Sequence, residues 1–338
     1  MPTSRSETPT ATAESDSGAE AHPPPILDRR LVFVTGKGGV GKTSTASALA
    51  LLAAREGRRV LVCEMDAKGS LASAFDTAPL TFQPREIEPG LFAMAMNTED
   101  ALREYLRLFV KVPLLGKIGP LARTFDFVAD AAPGVKEILG VGKLCHEVRE
   151  RHYDLVVVDA EATGHIVAQV GAPKVIRDLV KVGLVRDQTE WMLDLLQDTA
   201  VTGVAIVTTP EEMPVTETLA LLARLEPETG VAPSLLVANR VLPSRFDDAE
   251  QAVFDELDQA RDMLTKAAGR GVGAVLTAAQ IIEARRQNGE RHLERLRDEA
   301  PGLPIVVVPE LFTRATGRRV VALVADALMA DPKLSEVG

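Results

Sequence analysis

Eight consecutive residues, Gly36-Lys37-Gly38-Gly39-Val40-Gly41-Lys42-Thr43, fit the phosphate-loop pattern G-x-x-x-x-G-K-[ST] without a gap. Glycines at these places let the backbone curl until several N–H groups face one anion. The helix expected to open beside Lys42, with Ser44 in its first turn, adds its partial positive end. In this pattern the lysine, Lys42, reaches the β- and γ-phosphates of a nucleoside triphosphate, and the Thr43 hydroxyl ligates Mg²⁺. The implied ligands are ATP and Mg²⁺. A second lysine, Lys37, follows the first glycine directly. A cation on the tip of the loop points away from the phosphates that its own loop holds. Its natural target is an anion across a dimer interface, where a cation supplied in trans is worth about 10³–10⁵ in rate; the alternative is a solvated surface lysine.

Two carboxylates occupy related places. Asp66 follows the apolar run Val60 to Met65, and Asp159 follows Leu155-Val-Val-Val158. The carboxyl ends of strands are where open α/β sheets bind ligands. Asp66 is placed to orient or deprotonate a water attacking the γ-phosphate, and it could equally cap a helix. Asp159 stands where a strand-terminal carboxylate holds Mg²⁺ directly or through water, so Thr43, Asp66 and Asp159 form the expected metal set.

These residues need a scaffold, and the hydrophobic pattern supplies one. Short β-branched runs recur at Leu31–Thr35, Val60–Met65, Leu155–Val158, Val204–Val207, Leu235–Ala238 and Ile305–Val308, separated by helical stretches such as residues 43–56. Continuous apolar runs belong to strands covered on both faces. Their alternation with helices predicts an α/β fold, a doubly wound and mostly parallel sheet. Residues 1–27 are polar, lack an apolar core segment and read as a disordered tail. The single domain is expected over 28–330, with a helical subdomain near 100–150 and a short tail at 331–338. In the subdomain, Leu102, Leu106, Phe109, Leu114, Leu115, Ile118, Leu121, Phe125 and Phe127 make either a packed helical layer or a client groove. Residues 245–300 read as solvated helices. The amphipathic stretch 316–331 is expected to pack on the sheet rather than lie on lipid.

Composition narrows the function classes. The 338 residues carry 38 Lys+Arg against 48 Asp+Glu, a net charge of −10, which disfavours broad binding to nucleic acid or anionic lipid. No apolar stretch approaches the ~18 residues of a membrane span, so no stable membrane insertion is expected. Two cysteines, Cys63 and Cys145, cannot build a disulfide framework, which points to the cytoplasm. His146 and His152 have no third ligand and read as surface or packing residues.

The segment KGGVGKT resembles the deviant phosphate loop of a class of dimeric ATPases that includes the arsenite-pump, tail-anchored-protein targeting, Min, partition and nitrogenase iron-protein families. Asp66-Ala-Lys-Gly-Ser-Leu-Ala-Ser-Ala-Phe75 resembles switch I of the arsenite-pump and tail-anchored-targeting family, D-P-A-H-[SN]-L-S-D-A-F, with Ala67 and Gly69 in place of Pro and His. Asp159-Ala-Glu-Ala-Thr163-Gly164-His165 resembles its switch II, D-T-A-P-T-G-H, and Pro133-Gly134 to Glu137 its P-G-x-x-E element. The resemblance spans roughly residues 31–325. It implies an ATPase that opens and closes as a homodimer, or as a heterodimer with a paralogous ATPase, around ATP and Mg²⁺. It further implies adenine contacts from Asn239 and from the loop holding Pro309 and Leu311, although Asn and Pro are also common turn formers. A protein client is possible within the family. Its arsenite-binding cysteine triad and its zinc-binding C-x-x-C pair have no counterpart here, so neither ligand is expected. The stretch 173–199 is short and charged, unlike a methionine-rich client insert. The rival readings are a partition- or Min-type positioning ATPase and a nucleotide-gated scaffold with little turnover.

Overall fold

The computed structural model describes residues 25–107, 134–179, 184–257, 259–269 and 271–334. Among these, eight strands form one sheet: β1 (Leu31–Gly36), β2 (Val60–Glu64), β3 (Arg85–Glu88), β4 (Leu91–Ala95), β5 (Leu155–Ala162), β6 (Thr202–Thr208), β7 (Pro233–Val241) and β8 (Ile305–Pro309). Their spatial order is β3-β4-β2-β5-β1-β6-β7-β8. Every neighbouring pair is parallel except β3 with β4. The expected fold class stands. The β3–β4 hairpin is an addition: β3 is an edge strand with exposed residues, and its Arg-Glu-Ile-Glu sequence carries no apolar run to announce it.

Alternating side chains of β1 feed two cores, as a sheet covered on both faces requires. Val32 and Val34 join α1 (Lys42–Arg55) on one face. Leu31 and Phe33 join the other face, covered by α4 (Val135–Arg149), α5 (Thr163–Leu179), α6 (Leu184–Gln197) and α7 (Glu212–Thr229). Short helices α2 (Ser70–Ala74) and α3 (Thr98–Tyr105) complete the first half. In the second half, α8 (Asp248–Glu256), α9 (Arg261–Ala268) and α10 (Gly271–Glu299) are largely exposed, as expected for solvated helices. The last helix, α11 (Arg318–Met329), buries Val321, Val324, Ala325 and Leu328 in the same core as α1. It therefore packs on the domain rather than presenting an apolar face to lipid.

Both domain boundaries move outward. Ile26 is 3% exposed and packs in the α1-side core, so a residue of the expected 1–27 tail belongs to the fold. Leu334 is also buried there, in a short 3₁₀ turn, so the fold runs past residue 330. Both shifts have one cause: a single large apolar residue near the end of a polar segment is enough to dock it. Of the apolar set near 100–130, Leu102 packs against the core, while Phe109, Leu114, Leu115, Ile118, Leu121, Phe125 and Phe127 lie outside the described residues.

Candidate functional site

The loop after β1 is fixed by two close approaches. Gly36 has φ +149°, and a Cβ there would come within 2.1 Å of the Val207 carbonyl oxygen on the neighbouring strand β6. Gly41 has φ +102°, and a Cβ there would meet the Asn239 amide nitrogen at 2.3 Å. Only glycine fits either place. Helix α1 opens at Lys42 with no side-chain cap, which leaves its first N–H groups facing the cleft. That end is an anion site. The Lys42 ammonium donates to the Lys37 carbonyl at 3.4 Å. Burial lowers its pKa, with Asp159 opposing that effect.

Asp159, 6% exposed, accepts a 2.6 Å hydrogen bond from the Thr43 hydroxyl through Oδ2. Its Oδ1 is buried with no hydrogen-bond partner. Burial pushes its pKa up to about 6, opposed by the Thr43 hydrogen bond and Lys42 and reinforced by Glu64 and Asp66. A hydroxyl beside a carboxylate with a spare buried oxygen suits Mg²⁺, which keeps several waters and takes few protein ligands. Among the described residues no group of three or more His, Cys, Asp or Glu stands together as a metal cage. The cleft around these groups has a volume of about 390 Å³ and is also lined by Ser44, Asp66, Lys68 and Glu161.

Glu64 lines the same cleft, and the sequence reading passed over it as part of a buried strand. It is 2% exposed, and its Oε1 accepts from the Ser70 backbone N–H at 2.8 Å. The available signal was an acid closing an otherwise apolar run, the same signal that singled out Asp159.

Switch I follows. Asp66 is exposed and forms an ion pair with Lys68 two residues on. Ala67 has φ +45° and Gly69 φ +78°, the latter capping α2. These are the two places where the family pattern has Pro and His. Proline, locked near φ −65°, cannot adopt the conformation of Ala67, and a histidine at residue 69 would be strained. The departures and the backbone geometry are therefore one fact.

Switch II departs differently. β5 continues through Ala162, which pairs with Gly36, so Asp159 lies within the strand rather than at its last residue. A proline at 162, as in the family pattern, would lack the N–H that a central strand uses. Thr35 donates to the Glu161 carbonyl at 2.8 Å, and His165 lies exposed with Nδ1 3.6 Å from the Glu161 carboxylate. Thr163 opens α5, followed by Gly164, and donates to Glu217 Oε2 at 3.1 Å. The other oxygen of Glu217 accepts from Lys37 at 2.6 Å. In the single chain, then, the signature lysine has an anionic partner on its own α7. Lys37 is partly buried, and the Glu217 carboxylate of the adjoining helix takes up its charge within the chain. Glu217 is the second residue that the sequence reading missed, and mid-helix position gave no signal for it.

Asn239, 7% exposed, donates through Nδ2 to the Val40 carbonyl at 2.8 Å while its Oδ1 accepts from the Arg240 N–H. It braces the phosphate loop from beneath. Gly38 and Gly39 are exposed at the rim, and Val40 is buried. Pro309 is exposed at the end of β8, and Leu311 packs partly against the α1-side core, with Phe312 under the Arg245 guanidinium. Cys63 and Cys145 are fully buried, and burial pushes both thiols up. His152 contacts Glu147 through Nδ1 at 2.7 Å. Among the described residues no helix is long and apolar enough to cross a membrane.

A sequence profile of the anion-transporting ATPases matches residues 29–188 and 179–266. The chain is 34% identical over 264 residues to the ATPase BagA of Mycobacterium tuberculosis, spanning 73% of this chain and 76% of that protein. It is 31% identical over 160 residues to an ATPase ASNA1 homolog of Entamoeba dispar, spanning 44% and 48% of the two chains. The ATPase GET3 of Podospora anserina is 28% identical over 161 residues, spanning 46% and 47%.

Proposed function

The chain belongs to the anion-transporting ATPase family, and on that premise we propose that it is a Mg²⁺-dependent ATPase in which hydrolysis opens and closes a pair of subunits. The observation that carries this reading is the convergence of four elements on one cleft: the phosphate loop after β1, the uncapped start of α1, Thr43 bonded to Asp159, and switch I after β2. The N-terminal N–H groups of α1 and the loop hold the phosphate chain, and Lys42 lies against its terminal oxygens. Thr43 and Asp159 hold Mg²⁺, which when bound neutralises charge on the β- and γ-phosphate oxygens. Asp66 orients the attacking water once Lys68 releases it. Lys37 leaves Glu217 to reach the triphosphate of the second subunit, and the Glu217 carboxylate is then left to Thr163 of switch II alone. Switch II thereby senses closure.

The second subunit is another copy or a paralogous ATPase. Sedimentation of the chain alone and with such a paralogue, in Mg·ATP, separates the two. A protein client and a cytoplasmic location complete the proposal. One observation favours slow intrinsic turnover: Asp66 is exposed and held in an ion pair with Lys68, which must open before the carboxylate can take a water. Phosphate release from Mg·ATP tests the central reading. Wild-type protein should turn over while Lys42→Ala should not, and equal rates in the two would remove the ATPase assignment.

A further inference from the structure

Glu64 is the most deeply buried carboxylate of the cleft, and nothing in the reading above uses it. Burying an ionised carboxylate without full compensation is costly, so such groups are paired, hydrogen-bonded or on a metal. Glu64 is half-satisfied. Oε1 accepts from the Ser70 N–H at 2.8 Å, whereas Oε2 is buried without a hydrogen-bond partner. Among the described residues no ion pair reaches it, although Lys42 and Lys68 line the same cleft.

Its neighbour across the sheet has the same defect. Glu64 on β2 and Asp159 on β5 are register partners of adjacent parallel strands, so their side chains leave the sheet on the same face. Asp159 Oδ1 is the second buried oxygen without a partner. Two acids side by side, each with one hydrogen-bonded oxygen and one idle oxygen, would repel each other with no cation between them. A divalent cation with its water shell satisfies both at once.

We propose that Glu64 is a member of the Mg²⁺ site, facing the ion's water shell through Oε2 while Oε1 tethers the start of α2. This inference rests on the reading of Thr43 and Asp159 as the metal-binding pair. The tether gives the residue a second consequence. Within switch I, Ser70 opens α2 and closes the loop that begins at Asp66, so metal held by Glu64 fixes both ends of the loop that carries Asp66. Glu64 is accordingly a positioning residue that couples metal occupancy to the conformation of switch I.

Glu64→Gln keeps an oxygen for the Ser70 N–H and removes the charge. Mn²⁺ binding to the ADP-loaded protein is followed by electron paramagnetic resonance, and ADP binding without metal is measured in chelator. Loss of a residue that supports a bound metal through its surrounding shell weakens affinity by about 10–100-fold. Glu64→Gln should therefore bind Mn²⁺ at least about tenfold more weakly, while its metal-free ADP affinity holds or rises, because one repulsive charge has gone. Damage to the fold would lower both. Equal Mn²⁺ affinity in wild type and variant, or a parallel loss of both affinities, overturns the proposal. A wild-type protein that binds no Mn²⁺ with ADP overturns the metal-site reading beneath it as well. Should the variant not fold, hydrogen exchange on wild type decides. Mg²⁺ added to the ADP complex should slow exchange of the Ser70 amide, and an unchanged rate refutes the coupling.

Discussion

The phosphate loop and the two switches meet in one cleft, yet they are held by different means. The loop is fixed by backbone: Gly36 against the Val207 carbonyl, Gly41 over Asn239, and the unspent N–H groups of α1. The switches are held by side chains: Asp66 on Lys68, Glu64 on the Ser70 N–H, and Glu217 on both Lys37 and Thr163. A backbone cradle presents the same donors whether or not nucleotide is bound. The two solvent-accessible ion pairs among these contacts, Asp66 with Lys68 and Glu217 with Lys37, exchange partners at small cost, since such pairs are worth only about 0–1 kcal/mol. In the proposed cycle the cleft joins a fixed anion receptor to a half that exchanges partners, and the family pattern is kept in the first and altered in the second.

Lys42→Ala strikes the rigid half and should produce the largest effect, loss of turnover below detection with weakened nucleotide binding. Lys37→Ala tests the movable half. A cation supplied in trans is worth about 10³–10⁵ in rate, so phosphate release should fall by at least about a hundredfold on that scale while the nucleotide dissociation constant shifts little. If binding fell as far as turnover, Lys37 would serve its own loop and the division between the two halves would fail.

How far the sequence reaches follows the same division. The phosphate loop was legible because its constraints are local: Gly36, Gly39 and Gly41 each hold a positive φ, and the strand before the loop and the helix after it have clear periodicity. Ile26 and Leu334 moved the boundaries because one buried residue in a polar segment leaves no periodic trace. Ala67 and Gly69 stood out as departures, but their meaning needed the dihedral angles, which tie both to left-handed backbone. Glu217 was illegible. It lies 180 residues from Lys37 on a partly buried flank of a helix, and only the sheet order, with β6 beside β1, brings α7 to the loop. Asn239, expected to contact adenine, lies within β7 with its amide engaged by the Val40 carbonyl, a contact across 199 residues that no local pattern announces.

Asp159 allows a test of the metal pair through stability alone. Burial holds its pKa at about 6, above the ordinary aspartate value of 3.8. A raised acid keeps its proton in the folded state where the unfolded chain has lost it. Its contribution therefore favours folding below about pH 4 and is lost as pH rises to about 6. Across that window the shift amounts to roughly 2–3 kcal/mol. Asp159→Asn never ionises. In metal-free protein it should melt a few degrees above wild type at pH 7, and the gap should close towards pH 4. A gap independent of pH would place the cause in packing rather than in the ionised carboxylate.

The smallest effect concerns Glu217 and bears most directly on the movable half. The pair it forms with Lys37 leaves each side chain about one-third exposed, at 29% and 35%, so solvent screening limits its contribution to under about 1 kcal/mol. Glu217→Gln should therefore leave the melting temperature nearly unchanged. The hydrogen bond from Lys37, with a lesser one from Thr163, holds the Glu217 carboxyl below the ordinary carboxylate range. What stabilisation the pair gives is present at neutral pH and fades as the medium is acidified through that lowered value. If the pair restrains Lys37 in the open subunit, its loss should raise basal phosphate release, by at most about fivefold for 1 kcal/mol. It should also bring the wild-type rate towards that of Glu217→Gln as pH falls far enough to protonate Glu217. A lower rate in the variant would mean that Glu217 aims Lys37 at its target instead of restraining it, and the contrast between a fixed receptor and freely exchanging switches would have to be redrawn around a carboxylate that works in both states.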